Sequence, residues 1–276
     1  MKTYLIAVDL EGVHDVCGMS YEESPIYGIP RTSDEYKRAV ASATEEINVA
    51  VDELFACGAG KVVVWDNHGG GKNLDFAKID SRAEQYIPDN LKPRMEFMPR
   101  FAFDGVLYIG YHSRAGSPRG VLSHTYNSVE IQYIKINGKQ VGEFDIDSYI
   151  AAHYGVPSVF VASDDVCIGQ VSVSSPETET AITKIGVSRR QAQFRDKDKV
   201  FADIRAGIKR AVTKKMQAKK LVFPCALEIR STKQERAEKN YEKLLKTIPV
   251  EWGEDAHTIR ATLRNIDDLR LFLLVF

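Results

Sequence analysis

A strand–helix–strand pattern at the start of the chain constrains the fold more than any other feature. Residues 3–8 (TYLIAV) are an apolar run typical of a buried strand. Residues 32–35 (TSDE) match a capping box, and apolar residues then recur in steps of three and four as far as Leu54, which predicts a long amphipathic helix that Gly58 ends. Residues 61–65 (KVVVW) form the next strand. Because this order makes a right-handed unit with parallel strands, we predict an open α/β sheet.

The rest of the chain continues the α/β pattern, with a change of texture after about residue 170. The Asn137-Gly138 pair is a strong signal for a hairpin turn. The other predicted strands cover residues 105–110, 129–136, 158–162, 225–230 and 257–263, and the other predicted helices cover residues 143–152, 196–217, 233–246 and 266–276. We therefore predict an α/β fold, with a three-layer, Rossmann-like main domain over residues 1–168 and a smaller C-terminal α/β domain over residues 169–276. The main sheet is expected to be mostly parallel or mixed.

Composition argues against several classes of partner. The net charge of the 276 residues is −1, so bulk electrostatics give no reason to expect nucleic acid. The apolar runs at residues 3–8 and 269–276 are too short for a signal-peptide core or a membrane span. The four cysteines do not form a CxxC pair, which is typical of a reduced thiol-containing protein and argues against a cysteine zinc site. We expect a cytoplasmic protein without nucleic-acid or membrane partners.

Acidic and imidazole side chains follow several of the predicted strands or begin the loops and the helix after them. Ligands gather at the carboxyl ends of strands in open α/β sheets, and carboxylates and imidazoles are metal ligands. The six residues are Asp9, Glu11, His68, His112, His124 and Glu143. Taken singly, each also fits an ordinary structural role, such as a solvated loop acid, a first-turn helix acid or a buried histidine. Their shared position favours a metal-dependent hydrolase with two ions, since five ligands suffice if Asp9 is shared.

Six separated segments, in order along the chain, resemble the M55 family of zinc peptidases, the D-aminopeptidases of the DppA type. These segments are 8–12 (VDLEG), 66–68 (DNH), 110–115 (GYHSRA), 120–124 (GVLSH), 141–143 (VGE) and 162–165 (ASDD). The resemblance implies two Zn²⁺ ions bound by Asp9, Glu11, His68, His112 and Glu143. It implies Asp9 as the bridge, with Glu11 and His112 on one ion and His68 and Glu143 on the other. His124 matches the catalytic histidine of the family.

The same resemblance implies a substrate and an assembly. The expected reaction is hydrolysis of short peptides or amino-acid amides at a free amino end, with a preference for D-residues. The expected assembly is a ring-shaped homo-oligomer, a decamer, with enclosed active sites. Lys184 falls where the family has a lysine and is a candidate for stabilising the oxyanion, although a solvated lysine fits as well. Asp164 and Asp165 are candidates for pairing with the substrate amine, although a capped turn fits them better.

Two departures from the family pattern stand near the expected site. The stretch between His112 and His124 carries one extra residue, near Arg119. Three glycines at positions 69–71 follow His68, and we interpret them as a flexible rim.

The sequence leaves the mechanism and three rival functions open. His124 is either a general acid/base or the direct attacking group. One rival is another dimetal amidohydrolase, such as a creatininase-like cyclic amidase. A second is a non-catalytic metal-binding scaffold, whose ions would be fully enclosed by protein ligands. A third is a nucleotide-binding module using the glycine run, although neither a GxGxxG nor a Walker spacing is present.

Overall fold

Three β-sheets, of six, five and two strands, and the helices around them form the described part of the protein. The computed structural model describes residues 1–19, 29–87 and 92–275. The strands are β1 (Lys2–Val8), β2 (Ala59–Asp66), β3 (Ala83–Tyr86), β4 (Gly105–Ile109), β5 (Ile131–Ile136), β6 (Lys139–Val141), β7 (Ser158–Ser163), β8 (Glu179–Ile182), β9 (Lys184–Ser188), β10 (Gln191–Phe194), β11 (Cys225–Ser231), β12 (Val250–Trp252) and β13 (Thr258–Leu263). The helices are α1 (Asp34–Ala56), α2 (Glu143–His153), α3 (Asp165–Ser174), α4 (Lys197–Thr213), α5 (Gln234–Leu244) and α6 (Ile266–Leu273).

The larger sheet is six-stranded and parallel, in the order β3-β2-β1-β4-β7-β8. Helices α1 and α4 pack together on one face, where Ile47 and Ile204 are fully buried. On the other face lie α2, α3 and the second sheet, whose apolar residues share one core with strand residues such as Tyr108. The predicted three-layer α/β arrangement with a mostly parallel sheet is therefore confirmed.

The second sheet is antiparallel, in the order β12-β13-β11-β5-β6. It combines the hairpin of residues 131–141 with strands from the C-terminal third of the chain. The larger sheet in turn takes β8 from beyond residue 168. Each of these two sheets therefore draws strands from both sides of the expected boundary, and the division into domains at residue 168 stays a prediction about folding units.

Helix α1 begins one residue later than the capping-box pattern predicts. The N-cap is Ser33, whose side chain accepts a hydrogen bond from Tyr36 N. Glu35 turns away from the cap, and its carboxylate accepts hydrogen bonds from Cys17 N and Gly18 N, both at 3.0 Å. The helix start thereby holds the end of the loop that follows β1.

The hairpin turn and the end of the first helix agree with the sequence. Asn137 and Gly138 both have positive φ, 49° and 77°, as a two-residue turn between β5 and β6 requires. Gly58 ends the first helix in the left-handed region, with a φ of 87°.

Within the described parts of the chain, no helix is long and apolar enough to cross a membrane.

Candidate metal centre

The carboxyl ends of three neighbouring strands bring the candidate ligands together. Val8, the last residue of β1, pairs with Asp66 at the end of β2 and with Ile109 at the end of β4. Asp9 and His68 therefore leave the sheet side by side. Asp9 continues the pairing by donating its N–H to Ile109 O at 2.8 Å. Parallel strands thus bring segments far apart in sequence to one edge of the sheet.

Two glycines allow the loops after β1 and β4 to touch. Gly12 N donates to Gly110 O at 2.7 Å, and a Cβ on Gly12 would lie 1.8 Å from Tyr111 O. Gly110 has a φ of 75°, and a Cβ there would meet Asp9 O at 2.1 Å. Side chains at these two positions would force apart the loops that carry Asp9 and His112.

The short contacts among the candidate ligands centre on Asp9. His68 Nδ1 lies 2.8 Å from Asp9 Oδ1 and 3.2 Å from Glu11 Oε2. His112 Nε2 lies 3.6 Å from Asp9 Oδ2 and 3.2 Å from Glu143 Oε1. Asp9 therefore presents one carboxylate oxygen to each imidazole, the arrangement that a bridging carboxylate needs.

Two overlapping groups of potential ligand atoms each lie within 4.8 Å of one another. One consists of Asp9, Glu11 and His112, and the other of His112, His124 and Glu143. Asp9, Glu11, His112 and Glu143 are all at most 5% exposed. Carboxylates packed this closely away from water need positive charge nearby, because each isolated buried charge is costly.

The donor pattern of His112 fits a metal ligand. His112 Nδ1 faces Ser113 O at 3.1 Å, so in the neutral ring the N–H sits on Nδ1 and the lone pair on Nε2. Nε2 is buried and, although Glu143 Oε1 lies 3.2 Å away, makes no well-aligned hydrogen bond among the residues that the structure describes. Zinc-binding imidazoles share this pattern, with one nitrogen fixed by a carbonyl and the other left for the metal. The residues present therefore fit zinc.

The pKa values show how strongly this site attracts positive charge. Burial, and then the charge of Glu11, raise the pKa of Asp9 to about 7. Burial alone would lower the pKa of His112, but Glu143 and Asp9 outweigh it and raise that pKa to about 10. Burial alone would raise the pKa of Glu143, but His112 outweighs it and lowers that pKa to about 2. A proton on the imidazole between the carboxylates thus supplies charge that a divalent cation supplies when bound.

His124 differs from the other histidines of the site. Its Nδ1 donates to Leu122 O at 2.8 Å, and its Nε2 lies 3.8 Å from Glu143 Oε1. Burial, and then the neighbouring His112, lower the pKa of His124 to about 4. The ring is therefore neutral at neutral pH, with a lone pair on Nε2.

A cavity of about 660 Å³ opens onto these residues. Five of the sequence-predicted site residues line it, namely Asp9, Glu11, His68, His124 and Glu143. Gly69, the first glycine of the expected rim, also lines the cavity, and the flexibility of that rim stays a prediction.

The profile of the M55 family, described as D-aminopeptidase, matches residues 1–274. The chain belongs to the M55 family of D-aminopeptidases. It is 32% identical over 191 residues to a D-aminopeptidase of Bacillus subtilis (strain 168), a match that covers 68% of this chain and 65% of that protein. The matched part is thus slightly less than two thirds of the relative. The solved structure of the Zn-dependent D-aminopeptidase DppA from Bacillus subtilis, described as a self-compartmentalizing protease, has the same fold, with a TM-score of 0.83 and 24% identity over 99% of this chain and 94% of that chain.

The lysine expected from the M55 pattern lies behind the ligand loop. Lys184 is fully buried, and its Nζ donates to Glu11 O and Val13 O, both at 2.6 Å. Burial lowers the pKa of this ammonium to about 8. Its observed contacts are with the main chain that carries Glu11, so it holds the loop in place.

The two acids proposed for the substrate amine have structural partners. Asp164 caps α3 by accepting from Cys167 N at 2.8 Å, and it also accepts from Val121 N at 3.2 Å. Asp165 accepts from Gly186 N at 2.7 Å. These contacts agree with the capped-turn interpretation of the segment. Arg119, beside the extra residue, also contacts the antiparallel pair formed by β9 and β10, with its Nη1 at 3.2 Å from Gly186 O.

Sequence reasoning missed a polar network on the other wall of the cavity. Its centre is the fully buried carboxylate of Asp147, which binds Arg94 Nε at 2.5 Å and Tyr111 OH at 2.7 Å. Tyr126 joins this network to the candidate metal site, since its OH lies 3.4 Å from Asp147 Oδ1 and its N–H donates to Glu143 Oε1 at 2.7 Å. One signal was available in the sequence, because residues four apart on a helix share a face and Asp147 follows Glu143 by four.

Proposed function

We propose that this protein is a two-metal, zinc-dependent aminopeptidase that hydrolyses short peptides or amino-acid amides at the amino end, with a preference for D-residues. The observation that carries the proposal is the placement of Asp9 between His68 and His112, beside a cavity that reaches the surface. Membership of the M55 family supports the reaction class, and the Zn-dependent neighbour supports the metal.

We keep the distribution of ligands that the resemblance implied, with Asp9 as the bridge, Glu11 and His112 on one ion, and His68 and Glu143 on the other. The potential ligand atoms of Asp9, Glu11 and His112 lie within 4.8 Å of one another, which supports the first of these sites. When bound, two zinc ions would polarise the scissile carbonyl and lower the pKa of water at the site toward 7.

The role that we assign to His124 is proton transfer at Nε2. The Leu122 carbonyl fixes the N–H on Nδ1, and the lowered pKa keeps Nε2 unprotonated before reaction. Nε2 can therefore take a proton from a nucleophile and return it to the leaving amine. Direct attack by Nε2 on the carbonyl needs the same lone pair, and trapping a covalent acyl–His124 adduct by mass spectrometry distinguishes the two roles.

The cavity wall combines apolar side chains with the candidate metal site. Trp65, Phe97 and Leu274 supply apolar wall, and Glu143 and Asp9 lie at the candidate metal site. This lining suits a compact substrate with an apolar side chain. The neighbour's description as self-compartmentalizing supports assembly into a ring-shaped oligomer, which we propose as a decamer in the cytoplasm. Native mass spectrometry tests the subunit number.

A substrate panel tests the proposed activity against the rivals. Zinc-reconstituted protein is assayed with paired D- and L-alanine dipeptides, the two alanine amides and creatinine. Hydrolysis of the D-compounds at least tenfold faster than the L-compounds supports the proposal. Turnover of creatinine alone favours the cyclic amidase, and two tightly bound ions without any hydrolysis favour the scaffold.

A further inference from the structure

The guanidinium of Arg94 is a largely buried cation on the wall of the cavity, and the candidate metal site does not account for it. Its side chain is 17% exposed and binds Asp147 in two places, Nε to Oδ1 at 2.5 Å and Nη2 to Oδ2 at 2.7 Å. Asp147 also accepts from Tyr111 OH. The carboxylate is therefore well satisfied, and it fixes one edge of the guanidinium.

Two aromatic rings hold the guanidinium further. Arg94 Cζ lies 5.3 Å from the centroid of the Trp65 ring and 4.7 Å from that of Tyr126. Cation–π contacts with both rings, added to the ion pair, leave the side chain little freedom. Residues held in this way can bind a ligand without a further loss of side-chain entropy.

The orientation of Arg94 points to a second carboxylate. A guanidinium group can donate two parallel hydrogen bonds to a carboxylate from either of two edges, and Asp147 occupies the Nε–Nη2 edge. The other edge joins Nη1 and Nη2, and Nη2 lies 4.0 Å from Glu143 Oε2. That edge therefore stands beside the candidate metal site, within the length of a short peptide.

Basic and acidic side chains both line this cavity. Besides Arg94, the basic residues are Lys92 and Arg189. Of the acids outside the candidate metal site, Asp66 accepts from Asn73 N at 2.6 Å and Glu96 accepts from Tyr86 OH at 2.7 Å, so each has a local partner.

We propose that Arg94 binds a carboxylate of the substrate. It would thereby select short peptides that carry a free C-terminal carboxylate or an acidic side chain over the corresponding neutral amides. This inference rests on the proposed peptidase function, because it assigns the substrate class of that site. The carboxylate has two possible sources, the free C-terminus of a dipeptide and the side chain of an acidic residue.

Equilibrium binding of non-hydrolysable ligands tests the proposal directly. The probes are three phosphinic analogues of D-alanyl dipeptides: one with a free C-terminal carboxylate, one with a C-terminal amide, and one with a C-terminal amide and a D-glutamate side chain. Calorimetry of zinc-loaded wild type should show Kd for at least one carboxylate probe lower by about tenfold or more than for the neutral amide. The probe that gains affinity identifies the source.

The decisive variant removes both charges of the pair, Arg94→Gln with Asp147→Asn, so that no unpaired carboxylate stays buried. Its carboxylate preference should fall to within about twofold of none. Arg94→Lys keeps the charge but loses the planar fork, and its preference should fall as well. Since Arg94→Lys retains a cation beside Asp147, it decides the matter if the double variant does not fold. Arg82→Gln, in a surface ion pair, is the matched control.

Wild type without a carboxylate preference, or a folded variant that keeps it, overturns the inference. Turnover of D-alanyl-D-alanine by the wild type is measured separately. Carboxylate-selective, Arg94-dependent binding without turnover would refute the proposed function and leave the role of Arg94 standing. Turnover without carboxylate-selective binding would refute the role of Arg94 and leave the proposed function standing.

Discussion

The imidazole rings of His112 and His124 are stacked, with centroids 3.9 Å apart and planes inclined by 12°. Each ring has its Nδ1 beside a main-chain carbonyl, which leaves Nε2 of both rings for chemistry. They differ in exposure, because the side chain of His112 is fully buried and that of His124 is 15% exposed and lines the cavity. Two similar side chains in contact therefore have different expected roles.

Alanine substitutions should separate these roles. His112→Ala removes a proposed ligand, so it should lower both bound zinc and turnover. His124→Ala should retain zinc and lose turnover by a factor of about 100 or more, the usual contribution of a general base. Plasma mass spectrometry of the purified proteins and a D-alanine amide assay give both readouts. His153→Ala, at the exposed end of α2, serves as the control, and loss of zinc in His124→Ala would contradict the assignment.

Zinc should stabilise the fold through Asp9. A ligand that binds only the folded state adds RT ln(1 + [L]/Kd), about 2.7 kcal/mol at 100 times Kd. Wild type titrated with zinc should therefore melt several degrees higher, whereas Asp9→Asn should show a much smaller shift. Differential scanning calorimetry provides the measurement, with Asp198→Asn, at an exposed position of α4, as the isosteric control. Equal shifts in the two variants would exclude Asp9 as the bridge.

Lys184 should matter for stability more than for the chemical step. Lys184→Met fills similar space but leaves the carbonyls of Glu11 and Val13 without their donor. We expect a loss of about 2 kcal/mol in the free energy of unfolding, measured in urea, together with weaker zinc binding. A fully stable variant that has lost only turnover would instead support the oxyanion role.

The buried ammonium of Lys184 also predicts a pH dependence in the metal-free protein. Burial lowers its pKa to about 8 from 10.5, although Asp164 and Glu46 act in the opposite direction. Between these values the unfolded chain binds more protons than the folded one, so this group's contribution to stability rises with pH. Below pH 8 the cost of burying the charge is present in full. The stability of wild type relative to Lys184→Met should therefore increase from pH 7.5 to pH 10 in chelator-treated samples. A constant difference would rule this out.

The ligand cluster could be predicted because it depends on local patterns and one topological rule. Strands β1, β2 and β4 are each visible as apolar runs, and parallel pairing brings the residues that follow them to one edge. Glu143 could be added to the predicted ligands because the sequence indicates both the hairpin turn before it and the helix that it begins.

Elements that depend on distant partners could not be predicted in the same way. Helix α3 has a segment rich in Val and Ser, with Gly169 inside it, which favours helix only weakly. It forms because Asp164 caps it and because Cys167, Ile168 and Val171 are buried. The pairing of β5 with β11, and the contact of Arg94 with Asp147, join segments whose proximity no local periodicity reports.

The start of α1 offers a direct comparison of the sequence pattern with the structure. Both Thr32 and Ser33 are good N-cap residues, and the capping-box pattern favours Thr32. In the structure Ser33 Oγ accepts from Tyr36 N at 3.1 Å, whereas Thr32 is exposed.

Ser33→Ala should therefore lower the free energy of unfolding by about 1 kcal/mol, the usual contribution of an N-cap hydroxyl. Thr32→Ala removes a hydroxyl one residue earlier and should change it by less than about 0.5 kcal/mol. Urea denaturation of both variants, at one pH and with zinc removed, gives the comparison. Because Glu35 in the first turn holds Cys17 and Gly18, Ser33→Ala should also loosen the loop after β1, seen as faster amide exchange at those two residues. A larger loss of stability in Thr32→Ala than in Ser33→Ala would instead support Thr32 as the N-cap residue, as the capping-box pattern predicts.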